Sequence, residues 1–155
     1  MTVKVRSAAK SDNIRIYQIE CESFKIPWDD ELFQLLSRWH GKIQISKTRS
    51  LFMDILEYEG CVIGYVVWEE DYRNKRGHIL NIAVDSKYRR KGYGRKLLEH
   101  TFERMKSAGI KECALEVRLS NHAARNLYES SGMHLQSIET EYYVDEDAAE
   151  YTRTL

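Results

Sequence analysis

Apolar positions recur along this 155-residue chain with two periods, and their order predicts the fold. Thr2 to Arg6 sets Val3 and Val5 between polar or charged neighbours, the period of two expected of a short strand. Ser11 or Asp12 can cap a helix whose approximate apolar face runs through Ile14, Tyr17, Ile19, Cys21 and Phe24. Pro27 punctuates the chain before a second helix. Asp29, Asp30 and Glu31 place acid in its first turn, where the helix dipole favours it, and Leu32, Leu35, Leu36 and Trp39 form its stripe. Leu51 to Tyr58 and Cys61 to Trp68 flank Glu59-Gly60, which predicts a hairpin.

Past a polar turn from Asp71 to Gly77, the run His78 to Val84 has few charges, as expected of a central strand buried on both faces. A helix from Arg95 to Ser107 carries Leu97, Leu98, Phe102 and Met105 on one side and stops at Gly109. Cys113 to Leu119 reads as a strand. Asn121 caps a helix with Ala124, Leu127 and Tyr128, which ends at Gly132. Met133 to Val144 and Ala148 to Leu155 read as the last strands. The result is an α+β (mixed α/β) pattern: a central mixed sheet of about seven strands, its middle strands parallel where helices intervene, flanked by about four helices. With no repeat, linker or low-complexity stretch, residues 1–155 read as one domain.

Composition narrows the function. Lys plus Arg number 24 and Asp plus Glu 24, a balance that argues against nucleic-acid or anionic-membrane partners. No apolar run approaches the roughly 18 residues of a membrane span. The N-terminus lacks a charged-then-apolar signal pattern, so a cytoplasmic location is expected. Cys21, Cys61 and Cys113 lie far apart without a CxxC spacing, so neither a disulfide nor a zinc framework is expected, and buried or half-buried thiols are. His40, His100, His122 and His134 are scattered without carboxylates or thiols at ligand spacing, so no metal site is expected.

The most informative stretch is Tyr88-Arg89-Arg90-Lys91-Gly92-Tyr93-Gly94-Arg95, a basic, glycine-containing turn between strand and helix. Its glycines admit close backbone approach, and the first N–H groups of the following helix are free to bind an anion favoured by the dipole. Arg89, Arg90, Lys91 and Arg95 add mobile positive charge. These features point to a phosphorylated cofactor.

Three segments fall together: Asn81-Ile82-Ala83-Val84-Asp85 with Arg89-x-x-Gly92-x-Gly94; Leu115-Glu116-Val117-Arg118-x-Ser120-Asn121; and Ala124-x-x-Leu127-Tyr128-x-x-x-Gly132-Met133. With them the chain resembles the GNAT superfamily of acetyl-coenzyme-A-dependent N-acetyltransferases. Within it, the chain looks like the RimI-type and NatA-catalytic-type protein N-terminal acetyltransferases, with Met133 where Phe is usual. Tyr142-Tyr143 before Asp145-Glu146-Asp147-Ala148, and Ile26-Pro27-Trp28, also match, whereas residues 38 to 50 are the least familiar part. The resemblance implies two middle parallel strands that splay apart, with the pantetheine arm of acetyl-CoA along Ile82, Ala83 and Val84. It implies the pyrophosphate on the N–H groups between Arg90 and Arg95, with Lys91, Gly92, Tyr93 and Gly94 in the cradle, and Asn121 touching the arm.

The chemistry requires a base for the amine and an acid for the departing thiolate. By the resemblance, Glu116 is the base candidate, His78 the second, and Tyr128 the acid near the cofactor sulfur. A backbone N–H near Val84 is the expected oxyanion donor. Phe24, Ile26 and Trp28 are expected opposite Tyr142 and Tyr143 at the entrance for a peptide N-terminus, with ribosomal and nascent chains among the acceptors implied. Transfer to another amine (a lysine, a polyamine or a small molecule) stays open, as does a non-catalytic acyl-CoA-binding module, because a fold does not choose its acceptor.

Overall fold

A computed structural model describes residues 2–155. In chain order the elements are β1 (Val3–Ser7), α1 (Asn13–Ser23), α2 (Asp30–Arg38), β2 (Lys42–Gln44), β3 (Arg49–Tyr58), β4 (Cys61–Asp71), β5 (Arg76–Val84), α3 (Tyr93–Ser107), β6 (Glu112–Arg118), α4 (His122–Ser130), β7 (His134–Glu139) and β8 (Ala148–Thr154). Single 3-10 turns precede α1 and follow β5.

The strands form one mixed sheet in the order β1-β3-β4-β5-β6-β8-β7, with β2 also on β3. β1 and β2 share one edge of β3, opposite Asp54–Tyr58 and Ser50–Phe52 respectively. Eight strands stand where about seven are expected, because three-residue β2, with Ile43 as its only apolar residue, is too short to show a period. The β3–β4 hairpin turns at Glu59 and Gly60, both left-handed (φ 47° and 83°), the conformation a two-residue turn needs to match strand twist. β5 and β6 run parallel; every other pairing is antiparallel.

Helices cover both faces. On one, Leu97, Leu98, Phe102 and Met105 of α3 and Tyr128 of α4 pack on Trp68, Ile79, Leu115, Val117 and Tyr151. On the other, Ile16 and Ile19 of α1 and Phe33 and Leu36 of α2 pack on Met53, Ile55, Tyr65, Val67 and Ala83. The β5–β6 gap lies between these helical layers.

Several boundaries depart from the sequence reading. The buried residues of α2 are Phe33, Leu36 and Ser37, with Leu32 half-buried beside them and Leu35 and Trp39 42% and 59% exposed, so the expected stripe holds at Leu32 and Leu36, misses Phe33 and wrongly includes Leu35 and Trp39; Asp29 caps the helix through the N–H of Glu31. On α1, Ile14 is exposed, and Ile16, Ile19 and Glu20 face inward. Asp12 stands at the N-cap position of α1 but its side chain bonds no N–H of that helix; its carboxylate accepts instead from Arg6 and from the N–H of Ala9, fixing the β1–α1 corner. α3 begins at Tyr93, not Arg95, and β7 ends at Glu139, well before Val144. Cys113 is buried, but Cys21 and Cys61 are exposed, contrary to expectation.

Candidate active site

The site begins with an irregularity in β5. Against β4, Val67 stands opposite Asn81 and Trp68 opposite Ile79, so Leu80 is an extra residue. Such a bulge bends a strand and raises its twist. Across the other edge, the β5–β6 ladder runs only from Arg76–Glu112 to Ile79–Leu115 and stops at the same place. β5 continues to Val84 and β6 to Arg118 without pairing to each other. The splay implied by the resemblance is therefore present. It leaves the edge of β5 beyond Ile79 unpaired on its β6 side, and backbone groups along such an edge suit an extended, amide-bearing ligand.

His78 and Glu116 meet at the foot of this gap, Nε2 to Oε2 at 2.5 Å. Their neighbours Ile79, Leu115 and Val117 fill the α3/α4 core, so alternation aims both side chains toward the α1/α2 face. Glu116 is the more enclosed, its side chain 14% exposed against 34% for His78. The two candidate bases are thus one hydrogen-bonded pair rather than alternatives.

Tyr128 lies on the opposite face of the sheet from the His78–Glu116 pair. It is buried in the α3/α4 core, with its ring 6.2 Å from that of Tyr151. Burial first, and Tyr143 second, push its phenol well above the usual tyrosine range. Tyr143 lies against β6: its hydroxyl donates to the carbonyl of Glu116 (3.4 Å), and the Arg118 guanidinium sits 4.5 Å over its ring. Burial lifts its phenol to about 12. Tyr142, half exposed, stands edge-on to it at 5.0 Å.

The β7–β8 loop carrying both tyrosines is pinned by charge. Arg118 pairs with Asp145 and with Glu146 (3.2 Å), Ser120 donates to Glu146 (2.9 Å), and Lys25 reaches Asp145 at 2.7 Å. The Lys25–Asp145 pair joins this loop to the α1–α2 loop, so the structure brings Phe24, Ile26 and Trp28 to the same end of the sheet as Tyr142 and Tyr143. Ile26 is exposed, whereas Phe24 and Trp28 are half-buried on the α1/α2 core.

Sequence reasoning missed Glu20. It is fully buried on α1, and its carboxylate accepts from Tyr65 Oη, from Asn81 Nδ2 (2.6 Å) and from the N–H of Trp28 (2.8 Å). Burial pushes its carboxyl up, opposed by the bonds from Tyr65 and Trp28. The available signal was its place four residues after Ile16, on the inward face of α1.

The basic turn keeps its backbone free and ties down part of its charge. Gly92 (φ 86°) caps α3 with no side chain bonded to the first N–H groups, and a Cβ there would meet nothing within 4 Å. The N–H groups of Tyr93, Gly94 and Arg95 therefore fit a phosphate. The side chains of Arg89 and Arg95 are not mobile as expected. Arg89 donates to the carbonyl of Val84 (2.9 Å) and to Ser23 (3.0 Å), and Arg95 to the carbonyl and hydroxyl of Ser130 at the end of α4. Lys91 lies 5.8 Å over the Tyr88 ring, and Arg90 is the free guanidinium of the turn among the described residues. Asn121 caps α4 through Oδ1 to the N–H of Ala124 (3.2 Å), leaving its amide N–H groups available.

The acetyltransferase (GNAT) family profile matches residues 13–133. The chain belongs to the GNAT family of acetyltransferases. It is similar to the ribosomal protein bS18-alanine N-acetyltransferase of Escherichia coli strain K12, with 32% identity over 146 residues covering 94% of this chain and 90% of that protein. The crystal structure of the Escherichia coli enzyme superposes with a TM-score of 0.80 at 29% identity, covering 99% of this chain and 94% of the other. A chain of the NatC complex bound to Gag peptide and CoA superposes at 0.79 with 25% identity, covering 100% and 99%. The family and fold read from the motifs are those the chain has. No helix among the described residues is long and apolar enough to cross a membrane, and none of their His, Cys, Asp and Glu form a cluster of three placed to hold a metal.

Proposed function

We propose that this acetyltransferase uses acetyl-CoA to acetylate the α-amino group of protein N-termini in the cytoplasm, by direct attack with both substrates bound. The observation that carries this reading is the His78–Glu116 pair at the foot of the splay, on the face bounded by the α1–α2 and β7–β8 loops. The names of the relatives, which act on N-terminal alanine of a ribosomal protein or are bound to a peptide with CoA, support a peptide acceptor. Ribosomal and nascent chains are the acceptor class they favour.

Bound acetyl-CoA supplies the acetyl thioester. The β6-facing backbone of Ile82, Ala83 and Val84 (the Val84 carbonyl being already bonded to Arg89) and the amide of Asn121 hold its arm. The N–H groups of Tyr93, Gly94 and Arg95, with Arg90 and Lys91, hold its phosphates.

Glu116 takes the proton of the incoming ammonium, and His78 steadies the carboxylate and shares the proton. A modest base suffices for an α-amine. With a pKa of about 7.7–8.0, roughly a tenth is neutral at pH 7, whereas a lysine near 10.4 lies about 3.4 kcal/mol further away.

Tyr128 is better read as a hydrogen-bond donor to the sulfur than as a full acid. A phenol near 10 giving its proton to the thiolate of a thiol near 8.5 goes uphill by about 2 kcal/mol, and burial widens that gap. Burial keeps the proton on Tyr128, where it can offset charge on sulfur until solvent protonates it.

The test is acetyl transfer from acetyl-CoA to peptides with free N-termini against Nα-blocked peptides bearing lysine. Transfer to the free N-termini is expected. Transfer confined to the blocked set would overturn the acceptor assignment.

A further inference from the structure

Glu20 has no part in the chemistry above, yet it is a buried carboxylate on which three donors converge. It is wholly buried with no cation among its partners. Burying a carboxylate is unfavourable unless hydrogen bonds compensate, and here three donors converge on it. Their locations give the arrangement its meaning. Trp28 N–H belongs to the α1–α2 loop, one wall of the acceptor entrance, and the carbonyl of the same residue accepts from Tyr17 Oη on α1 at 2.7 Å. Asn81 sits beside the extra residue of the β5 bulge, where that strand leaves β6. Tyr65 belongs to β4, in the middle of the sheet.

We propose that Glu20 is a positioning residue for the acceptor: a buried strut that sets the spacing between the α1–α2 loop and the bulged half of β5, and so the room available to the first residue of the incoming chain. This rests on the reading of the protein as an N-terminal acetyltransferase. Both peptide groups of Trp28 are held from α1, and the same carboxylate that holds one of them also holds β5. A shift of the loop relative to the cofactor strand would have to break a charge-assisted bond. The strut touches neither the His78–Glu116 pair nor the basic turn. Its loss should therefore change how peptides are chosen more than how acetyl-CoA binds.

The test is Glu20→Gln in the full chain, which keeps the side-chain volume but removes the charge and one acceptor oxygen. Steady-state kinetics would be measured with peptides beginning in small (Ala, Ser) and large (Leu, Met) residues, beside the KM for acetyl-CoA. The peptide KM is expected to rise about 10- to 100-fold, the scale of one lost hydrogen bond to a charged group, with the acetyl-CoA KM within about twofold. The preference between small and large first residues should shrink at least about fivefold, which general destabilisation would not produce.

Asn81→Ala and Tyr65→Phe each remove one donor and leave the carboxylate. They should shift the preference in the same direction by less, and they decide the matter if Glu20→Gln fails to fold. An unchanged preference in all folded variants, or equal loss for peptide and acetyl-CoA, overturns the role of Glu20 while wild-type peptide activity stands. Absence of peptide acetylation by the wild type overturns the proposed function and this role together.

Discussion

Glu116→Gln offers the most direct probe of the proposed chemistry. The carboxylate is largely enclosed and lies 2.5 Å from His78 Nε2. Glutamine can keep that contact through its carbonyl oxygen, so the pair should stay in place while the basic oxygen is lost. Removing a general base typically costs 10²- to 10⁴-fold. His78 remains as a weaker proton acceptor beside the same gap, which argues for the low end, about 100-fold in kcat/KM for the peptide, or about 2.7 kcal/mol. The double variant with His78→Ala should lose clearly more than Glu116→Gln alone, because it also removes the remaining proton acceptor. The neutral fraction of an α-amine rises from roughly a tenth at pH 7 to roughly nine-tenths at pH 9. A base needed only to free the amine is therefore less needed at high pH, and the gap between variant and wild type should narrow by up to about ninefold. The assay is thiol release from acetyl-CoA with a free N-terminal peptide between pH 6.5 and 9. A variant within about threefold of wild type at pH 7, or a deficit as large at pH 9 as at pH 7, would refute the assignment of Glu116 as the base for the ammonium.

The turn makes a contrasting pair. Arg90→Ala should weaken CoA binding several-fold with little change in unfolding midpoint. Arg95→Ala should lower the midpoint by cutting the α3–α4 tie at Ser130 and leave CoA affinity nearly unchanged; calorimetry and thermal melts separate the two. Gly77→Ala would put a Cβ 2.4 Å from Sδ of fully buried Met105 and should cost about 1–3 kcal/mol in urea unfolding by overpacking; equal or greater stability would show that Met105 yields freely. Bonds from Arg118 and then Lys25 hold the Asp145 carboxyl down at about 2, below its unfolded value near 3.9. Its contribution is therefore complete above about pH 4 and lost as pH falls through about 2; acid titration of stability should flatten in that window for Asp145→Asn.

What the sequence showed and what it hid follow from how far each signal extends along the chain. The long apolar runs of β3, β4 and β5 and the motifs around the basic turn are local patterns, and they led to the right sheet and family. Residues whose roles depend on distant partners did not show themselves. Arg89 and Arg95 looked like mobile charge because nothing nearby in sequence reveals Val84 or Ser130 as their partners. Glu20 drew no notice on a weakly amphipathic helix, since its donors are 8, 45 and 61 residues away. His78 and Glu116 could each be named but not paired, because the pairing depends on the β5–β6 register, 38 residues apart. The stripe of α2 was drawn too wide on one side, because Leu35 and Trp39 are apolar yet exposed, while the buried Phe33 lies off the expected spacing.

The extra residue in β5 also has an arithmetic consequence. Side chains along a strand take opposite faces by odd and even number, and two successive residues on one face invert that parity from there on. Before the bulge, even-numbered His78 faces Glu116 while Ile79 enters the α3 core; after it, odd-numbered Asn81 and Ala83 face α1, and Val84 enters the α3 core. Counted without the bulge, Asn81 would be driven into the apolar layer under α3 and Val84 out of it. One inserted residue thus allows a single strand to be polar toward the α1/α2 side at two places that no unbroken alternation could join.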